Sequence, residues 1–403
     1  MRRTCLVMAL ALACAACGKQ ASAPEATPAG GGEVVATLLQ QLLDAKPGDV
    51  ITIPEGKFAI DRGLVLRASG VTIRGAGMDK SVLSFKGQKA GAEGLLVNGD
   101  DFTIEDLTIE DSIGDGLKVS ESENITIRNV KVQWTGGPST KNGAYGLYPV
   151  LTKNVLIEGS VSIGASDAGI YVGQSDGVIV RNSHAEQNVA GIEIENTINA
   201  DVYNNVATGN TGGILVFNMP ALSQQGGNVR VFDNKIIANN HENFGAKGTP
   251  VASVPAGSGV VINSNDDVEI FNNEVRDHIT ANFIVSSLYS TGYKDQSMND
   301  AFDPYPERIY IHGNQASGGG DSPDGLDFKA LKIAVYGLRG RFPDVLWDGY
   351  VNAKLAGGPQ ICIRDVSGVL DADGPGGYKN PKKDVKSFDC ELPRLPAVDL
   401  KRG

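Results

Sequence analysis

Between Asn124 and Asn218 the chain repeats itself: NITIRNVKV (124–132), NVLIEGSVSI (154–163), GVIVRNSHA (177–185) and ADVYNNVAT (200–208) follow one another. A glycine-led run trails each, in turn GLYPV (146–150), GIYV (169–172), GIEI (191–194) and GILV (213–216). Anchored on the last apolar residue of each first strand, the series reads Ile73, Ile104, Ile127, Ile157, Val180, Val202, Val231, Ile270 and Ile311. Where nothing is inserted the step is short: 23 residues from Ile104 to Ile127 and from Ile157 to Val180, 22 from Val180 to Val202. That period holds two or three strands and no helix, which predicts an all-β chain wound as a parallel β-helix. A leucine-rich repeat has a similar period but needs an L-x-x-L-x-L frame, which is absent here.

Strand residues alternate faces, so Leu117, Val119, Ile170, Val172, Ile192, Ile194, Ile214 and Val216 are expected to fill the lumen. Three places after each anchor stand Leu107, Val130, Ser160, Ser183, Asn205, Asn234, Asn273 and Asn314. The asparagines read as a ladder at a bend, each amide bonding its neighbours in the stack. One place after the anchor, Arg74, Glu105, Arg128, Glu158 and Arg181 alternate in sign, a structural charge stack.

The chain opens with Arg2 and Arg3, an apolar LVMALALA and then CAACGK, the layout of an export leader too short for a permanent membrane span. Ala15 and Ala16 before Cys17 resemble a lipoprotein box, implying a lipid on Cys17, with Cys14 the weaker alternative. By the same resemblance Gly18 implies delivery to the outer membrane, with the domain on its periplasmic face or at the cell surface. Residues 18–32 read as a tether. Beyond it, Val35, Leu38, Leu39, Leu42 and Leu43 form a helical stripe suited to capping the first coil. Once the leader cysteines and Cys17 are set aside, Cys362 and Cys390 remain as the expected disulfide. The solenoid is read over 33–320 and a C-terminal cap over 321–403, where the repeat is lost to the eye. The net charge of −11 argues against nucleic acid as a partner. No P-loop or H-E-x-x-H motif is present.

Insertions carry function on solenoids. The stretches 135–144 and 239–258 interrupt one corner and 219–227 and 286–307 another, which predicts walls around a groove. Its floor would hold the outward residues Lys118, Tyr148, Tyr171, Glu193, Glu195 and Phe217, with Asp115 and Asp167 at the edge. Stacked Tyr148 and Tyr171 suit the C–H face of a sugar while the carboxylates take its hydroxyls. They also suit a plain aromatic stack, and Glu193 and Glu195 a solvated face. Asp115 and Asp167 before glycines suit local turn bonding. Lys118 reads either as a clamp for a uronate or as a solvated chain. His184 falls on another face.

With AYGLYPV (144–150), ASDAGIYVGQS (165–175), GIEIEN (191–196), GGILVFN (212–218) and VPAGSGV (254–260), residues 33–320 resemble the right-handed parallel β-helix proteins. That class holds pectate lyases, polygalacturonases, alginate epimerases and NosD-like carbohydrate-binding proteins; the quoted runs are most similar to exported bacterial parallel β-helix domain-containing lipoproteins. The resemblance implies right-handedness and export, and no reaction. The functional expectation is a groove binding a polysaccharide or an envelope protein, with a polysaccharide lyase, epimerase or glycoside hydrolase as the alternative. For a lyase, Tyr148, Tyr171 and Glu193 are the catalytic candidates, with Lys118 and a Ca²⁺ at Asp167 and Glu193. The alginate-epimerase Y-G-x-D-P-H pattern is absent.

Overall fold

The structure, a computed structural model, describes residues 31–291, 302–383 and 386–401. The leader, Cys17 and most of the tether lie outside the described residues. Two sheets, one of 19 strands and one of 12, wall a single solenoid. A typical coil gives the larger sheet two strands, such as Asp176–Arg181 and His184–Glu186, and the smaller sheet one, Ala190–Glu195. The anchor series is the pairing series: Ile73 faces Ile104, then Ile127, Ile157, Val180, Val202, Val231, Ile270 and Ile311, all in parallel register. The expected lumen residues from Leu117 to Val216 are fully buried, so burial of one apolar face per strand drives the winding.

The bend after each anchor explains the polar letters of the repeat. Asn182, Asn204, Asp233 and Asn272 all hold φ between 51° and 55°, the left-handed region that Asn and Asp enter more easily than other side chains. One residue later the ladder forms as expected. The backbone N–H groups of Ser183, Asn205, Asn234 and Asn273 donate to the amide oxygens of Asn205, Asn234, Asn273 and Asn314, at 2.9–3.0 Å. A second ladder, not anticipated, links Asn188, Asn210 and Asn239 in the same manner and ends on His278. The charge stack also forms, Arg128 bridging Glu105 at 3.3 Å and Glu158 at 2.6 Å.

Helix α1 (Gly31–Asp44) caps the first coil, beginning two residues inside the stretch read as tether. Leu38 and Leu42 are buried, whereas Leu43, assigned to the same stripe, is 79% exposed. At the other end the solenoid runs past the boundary drawn at 320. Ile361–Ile363 pairs in parallel with Ile309–Ile311, and Val345–Trp347 with Phe283–Val285 and then Val369–Asp371. Helix α2 (Leu326–Tyr336) and the loop before Ile361 lengthen these coils and hide their period. Cys362 and Cys390 form the disulfide. From there the C-terminal segment runs back along the larger sheet as a strap: Arg394 and Leu395 bond the Glu269 carboxylate, and the Val398 N–H reaches Asp201. Pro149 sits in Tyr145–Val150 with unbroken register to Val119.

Candidate functional site

The smaller sheet supplies the site. Its strands place Lys118 beside Tyr148, Tyr171 beside Glu193, Glu193 beside Leu215 and Glu195 beside Phe217 on consecutive rungs. The floor of that face is not an open groove. Tyr171, Glu193, Leu215 and Phe217 are at most 5% exposed, because a second apolar cluster lies outside the solenoid. Val251 and Val254 of one insertion, Phe342 and the α2 side chains Phe328, Leu331 and Val335 cover the sheet. The outward row turns apolar after Glu193, at Leu215, Val261, Ile284 and Leu346, and buries itself for the same reason the lumen does.

What stays accessible is a pocket of about 260 Å³ with Tyr145, Asp167, Glu193 and Glu195 on one side. Met219–Leu222 and Pro250 with Val251 close the other. The insertions 219–227 and 239–258 are thus walls, as expected; 135–144 is not, and part of 286–307 lies outside the described residues. Glu193 is 3% exposed, which overturns its reading as a solvated residue. Burial, reinforced by Asp167 and Glu195, holds its carboxyl well above the usual glutamate range. Burial, with the charges of Glu195 and Asp115, raises Asp167 to about 8. Glu195 is raised to about 7 by burial, offset by hydrogen bonds accepted from the protonated Glu193 and the Tyr171 hydroxyl. One Glu193 oxygen, Oε2, is buried without a partner.

The tyrosines do not stack as a flat platform. Tyr148 and Tyr171 meet edge to face at 5.0 Å, and Tyr145, which sequence reasoning passed over, packs against both at 4.4 and 4.5 Å. Tyr171 lies over Gly173, where a Cβ would come within 2.3 Å of the phenol oxygen; that glycine lets the hydroxyl reach Glu195 on the next rung. Desolvation raises Tyr145 and Tyr171 well above the ordinary tyrosine value, and Tyr148 to about 12. None of the three is primed as a base, contrary to the lyase expectation for Tyr148 and Tyr171. Asp115 accepts the Tyr145 N–H at 3.2 Å and is raised to about 6 by burial. Lys118 lies 4.9 Å over the Tyr148 ring rather than among the carboxylates. Phe217 lines a neighbouring chamber instead of the pocket. His184 pairs with Glu186 on the larger sheet, away from the site as expected.

The model of the right-handed β-helix region matches residues 69–294. The chain belongs to that family. Among solved structures it is similar to the A-module of the mannuronan C-5 epimerase AlgE4 of Azotobacter vinelandii. That match has 18% identity and TM-score 0.50, over 77% of this chain and 85% of the other. A polygalacturonase from Erwinia carotovora ssp. carotovora matches at 12% identity and TM-score 0.46, over 71% and 90%. At these identities the likeness is one of fold. No curated protein matches the sequence.

Ca²⁺ was expected at Asp167 and Glu193. Among the described residues, the carboxylates whose oxygens gather within 4.8 Å are instead Asp266, Asp303 and Glu307. There Arg308 already pairs with Asp266 and Glu307. Neither group offers this β-helix a clear cation cage.

Proposed function

We propose that the chain binds one sugar unit in the pocket of Tyr145, Asp167, Glu193 and Glu195 and cleaves its glycosidic bond by acid–base catalysis. One observation carries this: three buried carboxyl groups converge on a small pocket with their proton affinities raised. Buried acids with shifted pKa values in a cleft are candidates for a functional site. Near neutrality Asp167 keeps its proton and gives it to the leaving glycosidic oxygen, while Glu195, near 7, takes a proton from the water that bonds to the anomeric carbon. Glu193 orients Glu195 through their shared hydrogen bond.

Elimination or epimerisation of a uronate is the weaker reading. Both need a cation to neutralise the sugar carboxylate, and among the described residues no Lys, Arg or His lines the pocket. A neutral glycoside meets no such penalty. The test is hydrolysis of a panel of neutral and uronic nitrophenyl glycosides by the full chain. Release from neutral members, lost in Glu195→Gln and Asp167→Asn, supports the assignment. Release or unsaturated product only from uronic members refutes it. Binding with no turnover of either class reduces the site to a carbohydrate-binding one.

Export and a lipid on Cys17 belong to the same proposal, supported by the leader-like N-terminus and by a disulfide that an oxidising compartment favours. Palmitate labelling of the wild type and its absence in Cys17→Ala would test this.

A further inference from the structure

Beside the carboxylate pocket lies a chamber of about 840 Å³ between the smaller sheet and helix α2. Its floor is the outward row Phe217, Val261, Ile284 and Leu346. Its roof is helix α2, with Leu326, Ala330 and Ala334 on the exposed side of the lining and Phe328, Leu331 and Val335 packed toward the sheet. Leu326, at the solvent-facing edge of the lining, is 83% exposed. The opposite face of the helix is fixed, since Lys332 is buried and donates to the carbonyls of Asp321 and Leu338. The helix meets the sheet through Phe328, Leu331 and Val335, and the chamber opens beside that contact.

Protein interiors pack like organic crystals, and a gap this large between two apolar faces is far beyond ordinary packing defects. It lies within the volume range of sites that enclose drug-sized ligands, and apolar cavities accept apolar guests. The chamber and the carboxylate pocket adjoin, with Met219 and Pro250 lining both. Glu195 pairs with Phe217, so the last carboxylate stands one rung, about 4.8 Å, from the first chamber residue. A polysaccharide would present hydroxyls along its whole length, whereas past Glu195 most of the lining is apolar, with polar groups such as Asn263, Ser286 and Asp348 interspersed.

We infer that the ligand is a glycolipid, with its sugar head among Asp167, Glu193 and Glu195 and its hydrocarbon chain beneath α2. This rests on the saccharide reading of the pocket and adds the class of aglycone. Each buried methylene contributes about 0.8 kcal/mol, which tightens binding roughly fourfold.

The experiment is calorimetric titration of the full chain with methyl, octyl, decyl and dodecyl β-D-glucopyranosides below their micelle concentrations, and with 1-decanol. Expected is an affinity rising on the order of tenfold for every two methylenes. Ala334→Trp, from the roof, and Ser253→Trp, at the exposed rim, should each flatten that series while leaving methyl glucoside binding unchanged. Circular dichroism confirms that each variant is folded, and the two sites lie on different elements. A flat series in the wild type, with methyl glucoside still bound or cleaved, overturns the glycolipid inference and leaves the saccharide site standing. Decanol binding as tightly as decyl glucoside, indifferent to Glu195→Gln, also overturns it and removes the saccharide reading as well.

Discussion

Asp167→Asn should stabilise the protein and silence it at once. The folded-state value of Asp167 lies near 8 against an ordinary 3.8. Because it is raised, the group's contribution is intact below the unfolded value and is lost as pH climbs through about 8. A difference of about four pH units at about 1.4 kcal/mol each sets an upper figure on the order of 6 kcal/mol. Burial causes most of that rise and the charges of Glu195 and Asp115 add to it; with Glu195 titrating alongside, one neutral substitution should recover roughly 2–3 kcal/mol. The assay is urea unfolding followed by circular dichroism at about pH 4.5 and pH 8.5, either side of the transition. Wild type should lose stability between the two, and Asp167→Asn should lose less by that amount while matching wild type at the acidic end. An identical loss in both proteins would mean that Asp167 is solvated or paired in solution, and the acid assignment would fall with it.

Three further outcomes follow from geometry already described. If turnover is found, its pH profile should be a narrow bell between the values of Glu195 and Asp167, near 7 and 8; activity persisting unchanged at pH 5 would exclude Glu195 as base. Asn234→Leu leaves the N–H and amide of Asn205 and the carbonyl of Val202 without their partners. This should cost roughly 2–4 kcal/mol in urea unfolding, and a loss below about 0.5 kcal/mol would show the ladder to be decorative. Reducing the Cys362–Cys390 bond opens a 28-residue separation, for which loop entropy predicts a loss of roughly 3–4 kcal/mol. A cap that unfolds at the same urea concentration with and without reductant would contradict that.

The winding was legible because its cause is local and periodic. Anchor residues from Ile73 to Ile311 recur at the spacing that stacks them, and the apolar alternation around Ile170 and Ile192 names the lumen outright. The candidate site was legible only in part. Alternation shows that Tyr171 and Glu193 point outward, yet it cannot show what covers them, since the cover comes from Val251, Val254 and α2, far along the chain. A signal was present: Leu215, Val261, Ile284 and Leu346 place apolar residues at outward positions on later rungs, which a solvated sheet would not do. Tyr145 was passed over because it stands at the start of its strand, where turn residues are expected. The solenoid beyond 320 was missed because α2 dilutes the period without breaking the stack.

The far end of the solenoid has a consequence for how copies of the chain coexist. Stacked parallel strands would offer an incoming chain a template of matching polarity on their last rung. Here Val369–Asp371 is met instead by Lys382 and Lys383 running antiparallel, two exposed cations laid across the terminal hydrogen-bonding edge. An approaching coil would find that edge already occupied, with the opposite strand direction and a repulsive charge. Fibre growth by end-to-end addition is thereby discouraged at one end, while α1 shields the other.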